Sequence, residues 1–119
     1  MHLVIGGAYQ GKLEYARKTY GLQEGEICFC TEERPPDSEA RCLVHLERFV
    51  RFCVRQGLPC ELRYRDDAVL LCDDIFCGIV PLSAEERLWR EETGRLLGRL
   101  ARESEDVTRI FCALPLKLK

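Results

Sequence analysis

The sequence predicts an α/β domain: a mostly parallel sheet flanked by helices, three layers α/β/α in all. Three observations lead there. Apolar strand-like runs alternate with helical stretches in the order β-α-β-α-β-α-β, and alternation of this kind builds a parallel sheet with helices on its faces. A glycine-rich turn, GGAYQGK, follows the first strand and opens the first helix. Two acids, Asp73 and Asp74, close the third strand. In open α/β sheets ligands sit beyond the carboxyl ends of the strands, where both features would lie.

Each element has its own signal. HLVIGG, residues 2–7, reads as a short buried strand ending in glycines. GKLEYARKTYG reads as a helix from about residue 11, with Leu13, Ala16 and Tyr20 on one side and Gly21 as its stop. EICFC is a second strand, and TEERPPDSEA is a loop. Asp37 or Ser38 then caps a helix predicted to run to Gln56, with Leu43, Leu46 or Glu47, Val50 and Val54 as its stripe and Gly57 and Pro59 as its end. DDAVLLCDDI is an apolar strand running into acids, and CGIVPL is a loop. SAEERLWREETGRLLGRLARES is a helix with a capping box from Ser83 to Glu86 and a stripe of Trp89, Leu96, Leu97 and Leu100. VTRIFCAL is the last strand.

The 119 residues fit one domain, 1–119, with no linker, repeat or low-complexity segment. Hydrophobic residues make up 46% and charged residues 32%, a composition of globular rather than disordered chains. The net charge of −2, with both signs interspersed, gives no basic face for nucleic acid. No apolar run approaches the roughly 20 residues that span a bilayer, and MHLVIGG lacks the basic leader of a signal peptide. A cytoplasmic protein without membrane or nucleic-acid partners is expected. Eight cysteines are many, but most lie inside apolar runs, where they behave as small hydrophobes. With no CxxC pair and only two histidines, the usual zinc-ligand spacing is absent.

Four stretches carry chemistry. Gly6, Gly11 and Lys12 fit the pattern of a phosphate-binding loop: glycine, four residues, then Gly-Lys. Such a loop needs N–H donors in a concave backbone, which glycine permits, and a lysine for the outer phosphates. Gly6, Gly7, Ala8, Tyr9, Gln10, Gly11, Lys12 and Leu13 are therefore the candidate nucleotide-binding residues; the alternative is a glycine turn before a surface lysine. Leu13 stands where a Ser or Thr hydroxyl normally touches Mg²⁺, so phosphate binding is better supported than turnover. Asp73 and Asp74 either hold Mg²⁺ or end a strand as a solvated pair. Asp66 and Asp67 lie before that strand, at its wrong end. His45, in CLVHLERFVR, is either a nucleophile that takes a nucleotidyl group or a packing residue on a helix. Arg87, Arg90 and Arg95 either reach phosphates or form a solvated face paired with Glu86, Glu91 and Glu92.

Together these stretches resemble a known family. GGAYQGKLEYA is similar to the start of the bifunctional adenosylcobinamide kinase / adenosylcobinamide-phosphate guanylyltransferase family. GIVPLSAEERLWREETGRLLGRLA resembles that family's Gly-Ile-Val-Pro loop and the helix after it, through Gly78 to Pro81, Arg87, Trp89-Arg90-Glu91, Gly94 and Ala101. ALPLKLK is similar to its closing Leu-Pro and Leu-Lys. The resemblance covers both ends well and the middle poorly. It implies a P-loop NTPase-like (RecA/kinase-like) fold, often assembled as a trimer, that moves phosphate from ATP or GTP to the aminopropanol hydroxyl of adenosylcobinamide and attaches GMP through a guanylylated histidine. Carried over by motif, Gly6, Gly7, Gly11 and Lys12 would bind the nucleotide phosphates, Asp74 falls where the family has a glutamate, and Asp73 takes the place of that glutamate's neighbour. The expected catalytic residues are then Lys12, Asp74 and His45, with Mg²⁺ held by Asp73 or Asp74 and phosphate contacts from Arg87 and Arg90. The chain departs from the family at Leu13 and Phe76, and it lacks the Asp-Cys-Leu-Thr segment. His45-Leu46-Glu47-Arg48 matches the family's His-Arg context only in rough position. The expected function is nucleotide-dependent transfer to a cobinamide-type alcohol by a homo-oligomer. The rivals are a nucleotide-binding or regulatory protein without turnover and a purely structural α/β domain.

Overall fold

The computed structural model describes residues 1–76 and 83–119. Among them are six strands and three helices. In chain order these are β1 (His2–Gly6), α1 (Lys12–Tyr20), β2 (Ile27–Phe29), β3 (Cys42–Val44), α2 (Leu46–Gln56), β4 (Val69–Asp73), α3 (Ala84–Glu103), β5 (Asp106–Phe111) and β6 (Leu114–Lys117). The strands form one sheet in the order β2-β3-β4-β1-β5-β6. All neighbours are parallel except β6, which runs antiparallel to β5.

The central strands are apolar on both sides, as a sheet covered on both faces requires. Leu3, Leu43 and Leu70 pack with Leu46, Phe49, Val50, Leu96 and Leu100 from α2 and α3. Val4, Val44, Val69 and Leu71 pack with Ala16 from α1 on the opposite face. The period-two alternation of a strand thus feeds two cores from one run of residues. Cys30, Cys42, Cys53, Cys60 and Cys72 are buried and free, as small core residues. Burial raises the Cys30, Cys42 and Cys53 thiols to about 12, so they stay protonated. No helix among the described residues is long and apolar enough to cross a membrane.

Three expectations change. The helix predicted from Asp37 or Ser38 begins only at Leu46. Cys42, Leu43 and Val44 are instead an interior strand, buried throughout and paired on both sides. The period-3.6 stripe starts after them, with Leu46, Phe49, Val50 and Cys53. The Asp37 carboxylate accepts from Glu39 N–H at 2.9 Å in a local turn of the loop. His45 is therefore not on the helix but at the joint between β3 and α2, in the left-handed region at φ 66°. The last strand is also two strands. Cys112 and Ala113 turn the chain at φ 50° and 61°, the paired positive values of a tight hairpin, without the glycine or asparagine that usually announces one. The predicted CGIVPL loop is residues 77–82, outside the described residues.

The remaining elements stand as expected. α1 starts at Lys12 and stops at Gly21, whose φ of 63° suits glycine. Ser83 Oγ accepts from Glu86 N–H at 3.1 Å and caps α3. The strand order places a switch point between β1 and β4. The chain leaves β1 toward the β2 edge and leaves β4 toward the β5 edge. Gly6 and Asp73 are register partners there, so the glycine turn and the strand-ending acid meet at one carboxyl edge.

Candidate functional site

The loop between β1 and α1 is a shaped backbone, not a plain turn. Tyr9 and Gly11 both take positive φ, 60° and 94°. Gln10 ties the loop to the β5–β6 hairpin: its Oε1 accepts from Cys112 N–H at 2.6 Å, and its carbonyl accepts from Ala113 N–H at 3.0 Å. Gly6 serves packing as well as the loop. A Cβ there would lie 2.5 Å from the Ile110 carbonyl oxygen on β5.

Lys12 is not a surface lysine. It is 7% exposed, and its Nζ donates to the Gly7 carbonyl at 2.7 Å. The same ammonium lies 2.7 Å from Asp73 Oδ1 at the end of β4. The cation therefore stands between the loop and the strand-ending acid, at the N-terminus of α1. Tyr9, Lys12, Leu13, Phe29, His45 and Arg48 are among the residues lining a cavity of about 500 Å³ over this edge. A larger, shallower depression of about 760 Å³ lies between the residues around Cys60 and α3. Two of its polar groups are engaged locally, Tyr64 with Glu103 and Arg99 with the Cys60 carbonyl at 2.9 Å. We therefore place the candidate site at the smaller cavity.

A second group of side chains adjoins Lys12. Glu47, in the first turn of α2, is 5% exposed. Its Oε1 accepts from Asp73 N–H at 2.9 Å, and its carbonyl accepts from Trp89 Nε1 at 2.7 Å. Burial raises the Glu47 carboxyl above its ordinary value; the Asp73 carboxylate adds to the rise, while the Asp73 N–H opposes it. His45 Nδ1 lies 3.4 Å from Glu47 Oε2 and 3.8 Å from Asp73 Oδ2. That nitrogen is buried and makes no hydrogen bond with any of the described residues. Arg51 stacks over the Trp89 ring at 3.9 Å and fixes α2 against α3 behind the group.

The structure brings Lys12, Asp73 and His45 together and leaves other candidates apart. Asp74 N–H donates to the Gly6 carbonyl at 2.7 Å, and its Oδ1 accepts from Phe76 N–H at 3.0 Å, so Asp74 braces the strand end. Arg87 and Arg90 are on α3 and do not line the cavity. Arg95 pairs with Glu91 and Glu92 along the same helix, as a solvated face does. The lining arginine is Arg48, exposed in the first turn of α2. Arg48 and Glu47 are the residues sequence reasoning missed. Glu47 had a readable signal: an acid at a stripe position of an amphipathic helix is a buried acid. Arg48 had none. No family model and no curated protein matches the chain.

Proposed function

We propose that this chain binds a purine nucleotide, GTP or ATP, in a P-loop NTPase-like site and transfers a phosphoryl group to an alcohol of the cobinamide type. The carrying observation is the buried Lys12, held 2.7 Å from both the Gly7 carbonyl and Asp73 Oδ1 at the switch point of a parallel sheet. A lysine in a left-handed glycine loop at a helix N-terminus is a phosphate-binding arrangement, because backbone N–H groups, the helix dipole and the ammonium converge. The resemblance of the loop and of the α3 sequence to the adenosylcobinamide kinase / guanylyltransferase family supports the acceptor.

Asp73 keeps Oδ2 apart from Lys12 and suits a Mg²⁺ delivered with the nucleotide, which requires one or two carboxylates besides phosphate oxygens. Leu13 contributes no oxygen to such an ion. Bound Mg²⁺ would neutralise developing phosphate charge. Lys12 binds and orients the phosphates, and Arg48 adds a guanidinium to the cavity wall. Guanylyl transfer through His45 is the second activity the resemblance suggests.

One observation favours a reading without turnover: Leu13 is half-buried and packs against the α1-side core instead of offering a hydroxyl. Calorimetric titration of the reduced protein with GTP and with ATP, each with and without Mg²⁺, separates the readings. Micromolar binding, weakened about 100-fold or more by Lys12→Ala, is expected for a charge-assisted phosphate contact in a partly dry site. Phosphate transfer to adenosylcobinamide is then assayed directly. Binding without transfer selects the non-catalytic reading. Absence of binding to either nucleotide overturns both.

A further inference from the structure

We propose that His45, Glu47 and Asp73 form a binding site for a first-row divalent transition-metal ion, with Zn²⁺ as the reference ion. This goes beyond nucleotide binding and does not rest on it. The three ligand atoms, one from each side chain, lie within 4.8 Å of one another. Each carboxylate has one oxygen committed and one left over. Asp73 Oδ1 takes Lys12, and Glu47 Oε1 takes the Asp73 N–H. The other two oxygens, Asp73 Oδ2 and Glu47 Oε2, both face His45 Nδ1.

The spacing favours a shared ion over direct hydrogen bonds. Nδ1 lies 3.4 and 3.8 Å from the two oxygens, and it is buried without a hydrogen bond to any described residue. Ligands about 2.1 Å from a tetrahedral ion lie about 3.4 Å from one another. The two nitrogen–oxygen distances lie within a few tenths of an ångström of that value, and all three atoms lie within 4.8 Å of one another. The buried, unpartnered nitrogen is the independent observation here. Two carboxylates alone would be only an acidic pair, whereas an imidazole nitrogen within 3.8 Å of an oxygen of each completes an N/O₂ donor set.

The charge balance points the same way. Around the buried group two carboxylates face one ammonium, that of Lys12, while the Arg48 guanidinium on the cavity wall is exposed, and a divalent cation compensates the remaining negative charge. The donor set selects the ion class. An imidazole with two carboxylates suits Zn²⁺ or Mn²⁺, while Mg²⁺ takes an all-oxygen shell. Three protein ligands leave at least one coordination position open, as catalytic rather than structural zinc sites do. With Nδ1 on the metal, Nε2 of His45 remains available to a ligand in the cavity.

The test uses the metal alone, on reduced, nucleotide-free, chelator-treated protein. Co²⁺ is titrated and followed by its visible d–d absorption, then displaced with Zn²⁺. One site per chain is expected, with the weak absorption of nitrogen and oxygen ligands. Glu47→Gln keeps the acceptor for Asp73 N–H, and His45→Asn tolerates the left-handed backbone. Each variant should weaken Co²⁺ affinity at least 10-fold while circular dichroism shows the fold retained. Should one variant fail to fold, the other decides together with the wild-type spectrum. An intense thiolate-to-cobalt band would put the ion on cysteines and overturn the proposal. So would affinity unchanged in the folded variants, or no binding at millimolar Co²⁺. Nucleotide binding that persists after any of these results leaves the phosphate-loop reading intact.

Discussion

His2 and His45 stand at opposite ends of the same parallel sheet, and each has carboxylates for neighbours. At the amino end, His2 Nδ1 meets Asp106 Oδ2 at 3.0 Å, and the imidazole stacks on Tyr20 with ring centroids 4.6 Å apart. Tyr20 hydroxyl donates to the other Asp106 oxygen at 3.3 Å. Every polar atom in that exchange has a partner. At the carboxyl end, His45 Nδ1 faces two carboxylate oxygens and bonds to neither. The residue types are nearly the same, and only their completion differs. A finished cluster ties strands and helix together; an unfinished one at a switch point is where a ligand completes the network.

The largest effect should come from the backbone under the carboxyl end. Gly6→Ala forces a Cβ to 2.5 Å from the Ile110 carbonyl oxygen, and neither strand can yield without breaking the ladder. A loss of about 3 kcal/mol in urea unfolding is expected, at the upper end of overpacking costs. Gly7→Ala meets only the Gln10 side chain, Cγ at 3.3 Å and Nε2 at 3.9 Å, with no backbone in the way, and should cost less than about 1 kcal/mol. Equal losses at the two positions would show that Gly6 is not held by packing.

Next comes the cation at the same end. Lys12→Ala leaves the Asp73 carboxylate, and the Glu47 carboxylate that accepts from the Asp73 N–H at 2.9 Å, without a compensating ammonium. About 2 kcal/mol of stability should go, less than for a fully buried pair because the Asp73 side chain keeps 20% of its exposure. His2→Ala, at the finished end, removes a pair open to water on one side and should cost less than about 1 kcal/mol. Matching losses from paired denaturation curves would erase the contrast between the two ends.

The sequence made the first of these ends legible and much of its surroundings illegible. Strand, glycine turn, lysine and helix are local signals, so the loop at Gly6–Lys12 could be read, and the apolar run into Asp73 announced the opposing acid. β3 was hidden because Cys42, Leu43 and Val44 are three apolar residues running directly into an amphipathic helix, and a short apolar run carries no period of its own. The β5–β6 hairpin was hidden because Cys112 and Ala113 take positive φ without the residues that favour it. The meeting of His45 with Asp73 is a consequence of strand order, which no local pattern records.

Glu47→Gln sharpens the comparison through pH. The folded Glu47 carboxyl titrates above its ordinary value of 4.5, chiefly because it is buried. Above that value the unfolded chain releases this proton before the folded chain does. Glu47 therefore lowers stability as pH rises from about 4.5 through its folded value, and the loss then levels off. Gln has no proton to release and still accepts from Asp73 N–H. In the presence of chelator, the variant should match or exceed the wild type by up to about 1 kcal/mol at neutral pH, with the difference shrinking toward pH 4. Thermal unfolding across that range decides it, and a variant weaker at every pH would show that the carboxylate is fully compensated in the fold.

The smallest effect belongs to the finished end. Tyr20→Phe removes one 3.3 Å hydrogen bond, and Asp106 keeps His2 as a partner, so no buried group is orphaned. A cost of about 0.5 kcal/mol near neutral pH follows, at the low end for a hydrogen bond. In alkali the order should invert. Burial, and after it the Asp106 carboxylate, holds the Tyr20 phenol well above its ordinary value of 10.0. Above pH 10 the unfolded chain loses this proton first, so the wild type is progressively destabilised while Phe is not. Urea midpoints for the pair should therefore converge and cross as pH rises past 10, with metal and nucleotide binding untouched. A Tyr20→Phe variant that also lost Co²⁺ or nucleotide affinity would couple the two ends of the sheet and refute their separation into a finished and an unfinished cluster.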